Sequence, residues 1–201
     1  MLAILDYDAG NLRSVTNALD RLGLPYLVSD QPDELASAER LIFPGVGHAA
    51  AAMASLKRKG LDDVLRQWQK PLLGICVGMQ LLFDHSEEGD TACLGIIPGK
   101  VVRFDAAQVG VVPHMGWNTV DGRLQITDHK CTDDYYFVHS YYCVPERSED
   151  VAGETDYNGQ KFCSIVAHGH ILGTQFHVEK SGPAGLRLLQ AFCTGALFPA
   201  A

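Results

Sequence analysis

The 201-residue sequence contains no long hydrophobic segment, no closely spaced cysteine pair and no excess of basic residues. No apolar run approaches the roughly 20 residues that a membrane span requires. The first residues, Met1 to Asp6, lack the basic start of a signal peptide and predict a first β-strand instead. The net charge of −8 argues against a general surface for nucleic acid or anionic membranes. We therefore expect a cytoplasmic globular protein.

The cysteine spacing excludes two common kinds of site. None of the six cysteines forms a C-x-x-C pair, which argues against a structural zinc site and a thioredoxin-type redox motif; they lie at Cys76, Cys93, Cys131, Cys143, Cys163 and Cys193. Without an export signal, the thiols are expected to be reduced. The pair His168 and His170 has no suitable third ligand nearby in the sequence, so no metal site is expected.

The order of strand and helix patterns predicts one α/β domain covering residues 1–201. In the first part, apolar strands at 2–5, 25–29, 40–43 and 72–75 alternate with helical stretches, of which the first could be capped by Asn11. After about residue 95 the segments become short and β-rich, at 99–104, 110–113, 117–120, 135–144, 151–157, 162–168 and 171–176. A final amphipathic helix is predicted at 183–192. The pattern indicates a mostly parallel, mixed central sheet covered by helices on both faces.

The stretch Gly74-Ile75-Cys76-Val77-Gly78 follows an apolar strand and precedes a helical pattern. Glycines two residues before and after a central nucleophile leave room in a sharp strand–turn–helix corner, so that its side chain stands at the carboxyl end of the strand. A buried structural cysteine is the alternative for an isolated thiol. The symmetric glycines favour a nucleophile, which needs a nearby base.

His177 is the best candidate for that base among the eight histidines. It follows the predicted strand at 171–176, and Glu179 lies two residues further on. In an extended chain, residues two apart point to the same side, so the two side chains could meet. A carboxylate there can orient the imidazole. For an arbitrary H-x-E sequence, an unrelated surface pair is the alternative. The Pro44-Gly45-Val46-Gly47 turn could supply backbone N–H groups to a developing oxyanion, with the N–H of Val77 as a further donor.

Together these motifs resemble the class I (triad) glutamine amidotransferases, whose three-layer, flavodoxin-like α/β fold is therefore expected here. More narrowly, the chain is similar to the glutaminase subunits of imidazole glycerol phosphate synthase. That narrower resemblance rests on four further stretches: Asp6-Tyr7-Asp8-Ala9-Gly10-Asn11, Pro113-His114-Met115-Gly116-Trp117-Asn118, Phe137-Val138-His139-Ser140-Tyr141 and Glu179-Lys180-Ser181. One departure is Val178, where the family usually has proline; we expect an extended backbone there and a preserved triad geometry.

The resemblance implies a role for each matching residue. Cys76 would attack the glutamine side-chain amide, His177 would transfer protons, and Glu179 would orient His177. Gly45, Val46, Gly47 and Val77 would surround the oxyanion. Glutamine itself would be bound by Gly47, Gln80, Glu88, Ser140 and Tyr141. The resemblance implies no cofactor and no metal.

The resemblance also implies a partner, a (β/α)8-barrel cyclase subunit that receives the ammonia. The interface residues it implies are Asn11, Met115, Trp117, Asn118, Tyr136 and Lys180, and activity would be low without the partner. Alternatives are the glutaminase of another triad amidotransferase, a cysteine hydrolase of the peptidase type, and a catalytically silent binding subunit. Retention of Cys76, His177 and Glu179 argues against the silent subunit.

Overall fold

A computed structural model of the chain describes residues 1–8, 11–126 and 129–197. The first part alternates strands and helices in the order β1 (Leu2–Leu5), α1 (Leu12–Leu22), β2 (Tyr26–Ser29), α2 (Pro32–Ser37), β3 (Arg40–Gly45), α3 (Ala49–Lys59), α4 (Leu61–Arg66), β4 (Leu72–Cys76) and α5 (Val77–Gln80). All residues of β1, β3 and β4 are buried, as expected for parallel strands with helices on both faces.

The second part consists mainly of short strands. They are β5 (His85–Ser86), β6 (Thr91–Ala92), β7 (Gly99–Arg103), β8 (His114–Gly122), β9 (Gln125–Ile126), β10 (His129–Lys130), β11 (Asp133–His139), β12 (Tyr141–Pro145), β13 (Val151–Tyr157), β14 (Gln160–His168) and β15 (Ile171–Thr174). The helices are α6 (Ala106–Val109), α7 (Gly182–Thr194) and two 3₁₀ helices, Ser148–Asp150 and Val178–Lys180.

One large sheet joins both parts. Strands β2, β1, β3, β4 and β15 are parallel neighbours in that order, and β14 continues the sheet in the antiparallel direction toward β12, β7, β5 and β6. A branch leads from β14 through β13 to β8 and β11. Because parallel strands end at the same edge, the carboxyl ends of β3, β4 and β15 meet there, with Gly45 opposite Cys76.

The crossovers place helices on both faces of this sheet. Right-handed connections put α1 on one face and α3 and α4 on the other, since the chain leaves β1 toward β2 in one direction and β3 toward β4 in the opposite one. Helix α7 contacts α1. The predicted α/β architecture with a mixed central sheet flanked by helices is therefore confirmed. The sheet is less parallel than predicted, because the parallel neighbours are β2, β1, β3, β4 and β15, whereas most pairings beyond β15 are antiparallel.

Several local predictions were wrong. Residues 110–113 do not form a strand; instead Asp105 caps α6 by accepting from the N–H of Ala107 at 2.9 Å, and Pro113 has no N–H to donate to a ladder. The segment 135–144 breaks at Ser140, where the chain passes from the β8–β11 branch to the β7–β12 pair. The helix predicted after the Cys76 corner is present as α5, and it has four residues.

Asn11 occupies the N-cap position of α1, but its side chain does not cap the helix. Its amide nitrogen donates to the Ser14 hydroxyl at 2.7 Å, and only its backbone carbonyl receives the first helical N–H groups. Of the loop between β1 and α1, Ala9 and Gly10 lie outside the described residues.

Candidate active site

Cys76 lies at a strained corner between β4 and α5. Its backbone has φ 53° and ψ −109°, a conformation that residues other than glycine rarely adopt. A Cβ on Gly78 would lie 2.0 Å from the carbonyl oxygen of Phe43, and one on Gly74 would lie 2.9 Å from the nitrogen of Met79. Both glycines of the G-x-C-x-G pattern are therefore needed for close backbone packing around the corner.

His177 and Glu179 form a buried pair. The Nδ1 atom of His177 lies 2.8 Å from Oε1 of Glu179, and the two side chains are 2% and 1% exposed. The backbone between them is not extended as predicted, because Val178 begins a 3₁₀ helix and packs fully buried in the core. The two side chains thus meet across one tight turn, with valine in place of proline.

Strand β11 holds this turn in place through its backbone. The N–H of His177 donates to the carbonyl of Tyr136 at 3.0 Å. The hydroxyl of Ser181 accepts from the N–H of Tyr136 at 3.0 Å and donates to the carbonyl of His177 at 2.6 Å. The position of the imidazole is therefore set by β11 and not by the turn alone.

The protonation of His177 is governed by its two neighbours. Burial disfavours the charged ring, but hydrogen bonds to Cys76 and Glu179, together with the negative charges of both, outweigh burial and raise the pKa of His177 to about 10. The ring therefore holds a proton more firmly than an ordinary histidine, with Nδ1 engaged by the carboxylate and Nε2 directed to the thiol.

A cavity of about 350 Å³ opens in front of Cys76. Its wall brings together most of the predicted site residues: Val46, Gly47, Cys76, Val77, Gln80, Glu88, Ser140, Tyr141 and His177. Its volume lies within the range of small-molecule sites in proteins. The residues predicted to bind glutamine thus share one cavity with the predicted nucleophile and base.

Gly45, predicted to surround the oxyanion, does not line this cavity. It ends β3 beneath the corner, where a Cβ would lie 2.2 Å from the nitrogen of Gly78. Gly47 has open space around it, so a side chain would not clash there. Its φ of 91° is a backbone conformation that residues with a side chain rarely adopt, and this favours glycine. The turn is held at both ends, since the Tyr7 hydroxyl donates to the carbonyl of Pro44 at 2.9 Å and Glu88 accepts from the N–H of Ala49 at 2.7 Å.

The predicted interface residues do not all share one surface. Met115 and Trp117 are 62% and 59% exposed, and the rings of Trp117 and Tyr136 lie 6.1 Å apart. Lys180 is exposed on the turn after His177. Asn118 instead belongs to the opposite face of β8, where its amide nitrogen donates to the carbonyl of Asp156 at 2.9 Å. Asn11 is half-buried at the start of α1, which contacts the 3₁₀ helix that follows His177.

Sequence reasoning missed four residues around the cavity. Pro113, Val138 and His139 line it, and Gln175 places its amide nitrogen 3.8 Å from the sulfur of Cys76. Val138 and His139 lie directly before Ser140, and Gln175 lies two residues before His177. Their closeness in sequence to predicted site residues is the signal that could have identified them.

The remaining histidine pair has separate partners. His168 contacts Asp150 at 3.0 Å, and His170 contacts the carbonyl of Trp68 at 2.9 Å. Within residues 1–8, 11–126 and 129–197, no group of three or more potential metal-binding side chains occurs. In the same ranges, none of the helices has the length and apolar character needed to span a membrane.

Comparisons with known proteins identify the family of the chain. The family model for class-I glutamine amidotransferases matches residues 3–196. The imidazole glycerol phosphate synthase subunit HisH of Dehalococcoides mccartyi (strain CBDB1) is 46% identical, over 98% of this chain and 98% of that protein. The subunit of the same name from Moorella thermoacetica is 48% identical, over 95% of this chain and 93% of that protein.

Solved structures show the same fold at low sequence identity. A crystal structure of a glutamine amidotransferase has a TM-score of 0.73 at 20% identity and covers 96% of this chain and 97% of that chain. PurLQS from Thermotoga maritima has a TM-score of 0.70 at 19% identity and covers 97% of this chain and 98% of that chain. The chain belongs to the class-I glutamine amidotransferase family and, within it, to the HisH subunits of imidazole glycerol phosphate synthase.

Proposed function

We propose that this chain hydrolyses glutamine to glutamate and ammonia as the glutaminase subunit of an imidazole glycerol phosphate synthase, and that Cys76, His177 and Glu179 carry the reaction. One observation supports this assignment above all. A buried imidazole lies between the carboxylate of Glu179, at 2.8 Å, and the thiol of Cys76, at the wall of a cavity large enough for an amino acid.

The first half of the reaction forms a thioester. The sulfur of Cys76 attacks the side-chain amide carbon of glutamine, while the proton of the thiol resides on His177. The tetrahedral intermediate collapses when His177 gives that proton to the departing nitrogen, which leaves as ammonia. Glu179 stabilises the imidazolium and keeps Nδ1 engaged, so that Nε2 faces the reacting atoms.

The second half regenerates the enzyme. His177, now neutral, takes a proton from water, and the resulting hydroxide attacks the thioester carbon. The carbon–sulfur bond breaks, glutamate leaves, and Cys76 and His177 recover the original proton between them. The pKa of about 10 for His177 depends on the negative sulfur beside it, and thioester formation removes that charge. The sulfur already loses that charge when it bonds to carbon in the tetrahedral intermediate, so the ring is a stronger base beside the free thiolate and a readier proton donor when the nitrogen departs.

Backbone donors of the turn after β3 would stabilise the oxyanion. The N–H groups of Val46, Gly47 and Val77 belong to residues that line the cavity beside the sulfur. Gly45 would contribute indirectly, by letting β3 approach Gly78 closely. A side chain at position 45 would push this turn away from Cys76.

The α-amino and α-carboxyl groups of glutamine need polar partners farther along the same cavity. Gln80 uses its amide nitrogen toward Tyr141 and Gln175, which leaves its carbonyl oxygen for the substrate. The carboxylate of Glu88 suits the ammonium group. Ser140 and Tyr141 complete the opposite wall.

A cyclase subunit with a (β/α)8 barrel would consume the ammonia. It would convert a phosphoribulosyl formimino nucleotide to imidazole glycerol phosphate and an aminoimidazole carboxamide ribonucleotide in histidine biosynthesis. Met115, Trp117, Tyr136 and Lys180 are the residues proposed to contact it, with Asn11 at their margin. Exposed tryptophan and methionine side chains suit the centre of a protein interface.

The test is ammonia release from glutamine by the chain alone, with the cyclase, and with the cyclase plus its nucleotide ligand. We expect low activity alone, strong activity in the third mixture, and none with Cys76→Ala. The coupling is expected because the oxyanion turn would be misaligned without the partner. Strong activity of the isolated chain would contradict the coupling, and activity that survives Cys76→Ala would contradict the triad. Inactivity in all mixtures would favour a silent binding subunit.

A further inference from the structure

Two buried histidines face each other on the inner side of the β8–β11 ribbon. In this antiparallel pair His114 stands directly opposite His139. Because side chains alternate along a strand, Met115 and Trp117 point outward while His114 points inward. The Nδ1 atom of His114 lies 3.0 Å from Nε2 of His139. This contact continues in both directions as a chain of hydrogen bonds.

A backbone carbonyl fixes the direction of the chain at its inner end. The carbonyl oxygen of Tyr141 lies 2.8 Å from Nδ1 of His139 and can only accept, so that nitrogen carries the proton. In a neutral ring, Nε2 of His139 is then an acceptor. The facing Nδ1 of His114 must donate to it, which leaves Nε2 of His114 as an acceptor.

The outer end requires the same direction independently. The carbonyl oxygen of Asn118 accepts from the N–H of Thr119 at 2.8 Å, and its amide nitrogen donates to the carbonyl of Asp156 at 2.9 Å. The same amide nitrogen lies 3.3 Å from Nε2 of His114 and donates to it. A second proton on either ring would set two N–H groups against each other. Burial agrees with this, since it lowers the pKa of His114 to about 4 and that of His139 to about 3.

The chain runs on from Tyr141 to the nucleophile. The carbonyl of Tyr141 also accepts from the amide nitrogen of Gln80 at 2.9 Å, and that nitrogen donates to the carbonyl oxygen of Gln175 at 3.1 Å. The amide of Gln175 is therefore oriented, with its nitrogen turned to the sulfur of Cys76 at 3.8 Å. Gln175 is fully buried, so this donor has no competing contact with solvent.

We propose that Gln175 is a positioning residue that holds the sulfur of Cys76 through its amide N–H, and that the neutral pair His114 and His139 fixes the orientation of Gln175 through Tyr141 and Gln80. The inference deepens the proposed function, on which it rests, by naming groups that aim the nucleophile. It also links the strand that carries the exposed Met115 and Trp117 to the sulfur by hydrogen bonds alone.

The unmodified chain provides the first test. With ¹⁵N-labelled histidine, long-range ¹H–¹⁵N spectra at pH 7 distinguish the two tautomers of a neutral ring. Both His114 and His139 are expected in the Nδ1–H form, although free histidine in water favours the Nε2–H form. An Nε2–H form or an imidazolium at either position would overturn the directional chain.

Alkylation of Cys76 by iodoacetamide provides the second test, because it needs neither glutamine nor a partner. Gln175→Leu removes the donor, and we expect the rate at pH 7 to fall about tenfold, as for loss of a hydrogen bond to a charged group. Gln175→Glu keeps the size of the side chain and is expected to slow alkylation further. Ser164→Ala is the matched control, since Ser164 is buried, its carbonyl pairs with the N–H of Gln175 at 2.9 Å, and its hydroxyl has no partner among the described residues.

A double-mutant cycle separates positioning from general destabilisation. If the chain acts as a unit, His139→Phe and Gln175→Leu together slow alkylation no more than the stronger single change. Additive effects, or an unchanged rate in folded Gln175→Leu and Gln175→Glu, would overturn the proposal. If the wild-type chain hydrolyses no glutamine in any mixture while these alkylation effects appear, the proposed function fails and the positioning role of Gln175 stands.

Discussion

At Cys76 the backbone has φ 53° and ψ −109°, and three glycines allow neighbouring segments to hold it there. Because these glycines have no Cβ, the first turn of α5 packs closely against Gly74, and the carbonyl of Phe43 against Gly78. The nitrogen of Gly78 packs against Gly45 in the same way. Each contact is backbone against backbone, so no rotation of a side chain can relieve an added methyl group. The strain at the nucleophile is therefore maintained by packing between β3 and the β4–α5 corner.

This packing predicts different costs for two glycine substitutions. In Gly78→Ala the new Cβ would lie 2.0 Å from a backbone oxygen, so β3 must move, and we expect a loss of about 3 kcal/mol or more in the free energy of unfolding. In Gly60→Ala the Cβ meets open space, and only the φ of 68° disfavours it, at about 1–2 kcal/mol. Urea denaturation of both variants measures the difference. Equal losses would mean that β3 adapts to the methyl group.

The β8–β11 ribbon separates a packing face from an exposed face. Phe137 is fully buried on the inner face, with its ring 4.8 Å from that of His114 and 5.6 Å from that of Phe176. Trp117 occupies the outer face and is 59% exposed. The same two strands therefore stabilise the fold with one side and offer apolar surface with the other.

Substitutions on the two faces are expected to affect different properties, the stability of the fold on the inner face and the binding of the partner on the outer face. Phe137→Ala should lower the free energy of unfolding by about 3–5 kcal/mol, because it leaves a cavity in the core. Trp117→Ala should change it by no more than about 0.5 kcal/mol, yet weaken binding to the cyclase. Chemical denaturation and a binding titration measure the two quantities. A large stability loss in Trp117→Ala would show that the outer face packs against this chain itself.

Local sequence signals predicted most elements, and contacts between distant segments account for what was missed. Apolar runs and glycines identified β1 to β4 and the corner at Cys76, because those features act within a few residues. The break at Ser140 could not be predicted, since it depends on which strand each side pairs with. Gln175 escaped notice for the same reason: its partner Gln80 is 95 positions away. The turn at Val178 was mispredicted because burial of the side chain overrode its extended preference.

For the molecule as a whole, three buried histidines shape the dependence of stability on pH. The pKa values of His114 and His139 are lowered to about 4 and about 3 from an ordinary value of 6.5. The unfolded chain therefore binds more protons below pH 6.5. Stability is full above that pH and falls toward pH 4, by up to about 1.4 kcal/mol per pH unit for each ring.

His177 acts in the opposite direction. Its pKa is raised to about 10, so its contribution is full below pH 6.5 and is lost as the pH rises toward 10. Together these three groups give the free energy of unfolding a maximum near pH 6.5. Urea denaturation between pH 4.5 and 9 measures this dependence. In Cys76→Ala the alkaline decline should become shallower, because the neighbour that raises the pKa of His177 is gone. An unchanged alkaline decline in that variant would contradict this origin.

Continuity of the large sheet from β2 to β6 predicts that residues 1–201 unfold as one domain. Trp68 follows α4 in the first part, and Trp117 lies on β8 in the second. The variants Trp68→Phe and Trp117→Phe each leave one tryptophan, so fluorescence reports one part at a time. Both urea midpoints are expected to coincide with that of far-ultraviolet circular dichroism. Separate midpoints would indicate two domains.

The alternation along β8 makes this strand sensitive to length rather than to composition. Removing one residue, such as Gly116, would shift the frame of all that follows, so that Trp117 would point into the core and Asn118 toward solvent. His114 would still face His139, but the residues after the deletion would point to the opposite faces from those they occupy now. A library of single-codon deletions across 114–122 should therefore yield almost no folded clones, whereas random codons at Met115 and Trp117 should yield many.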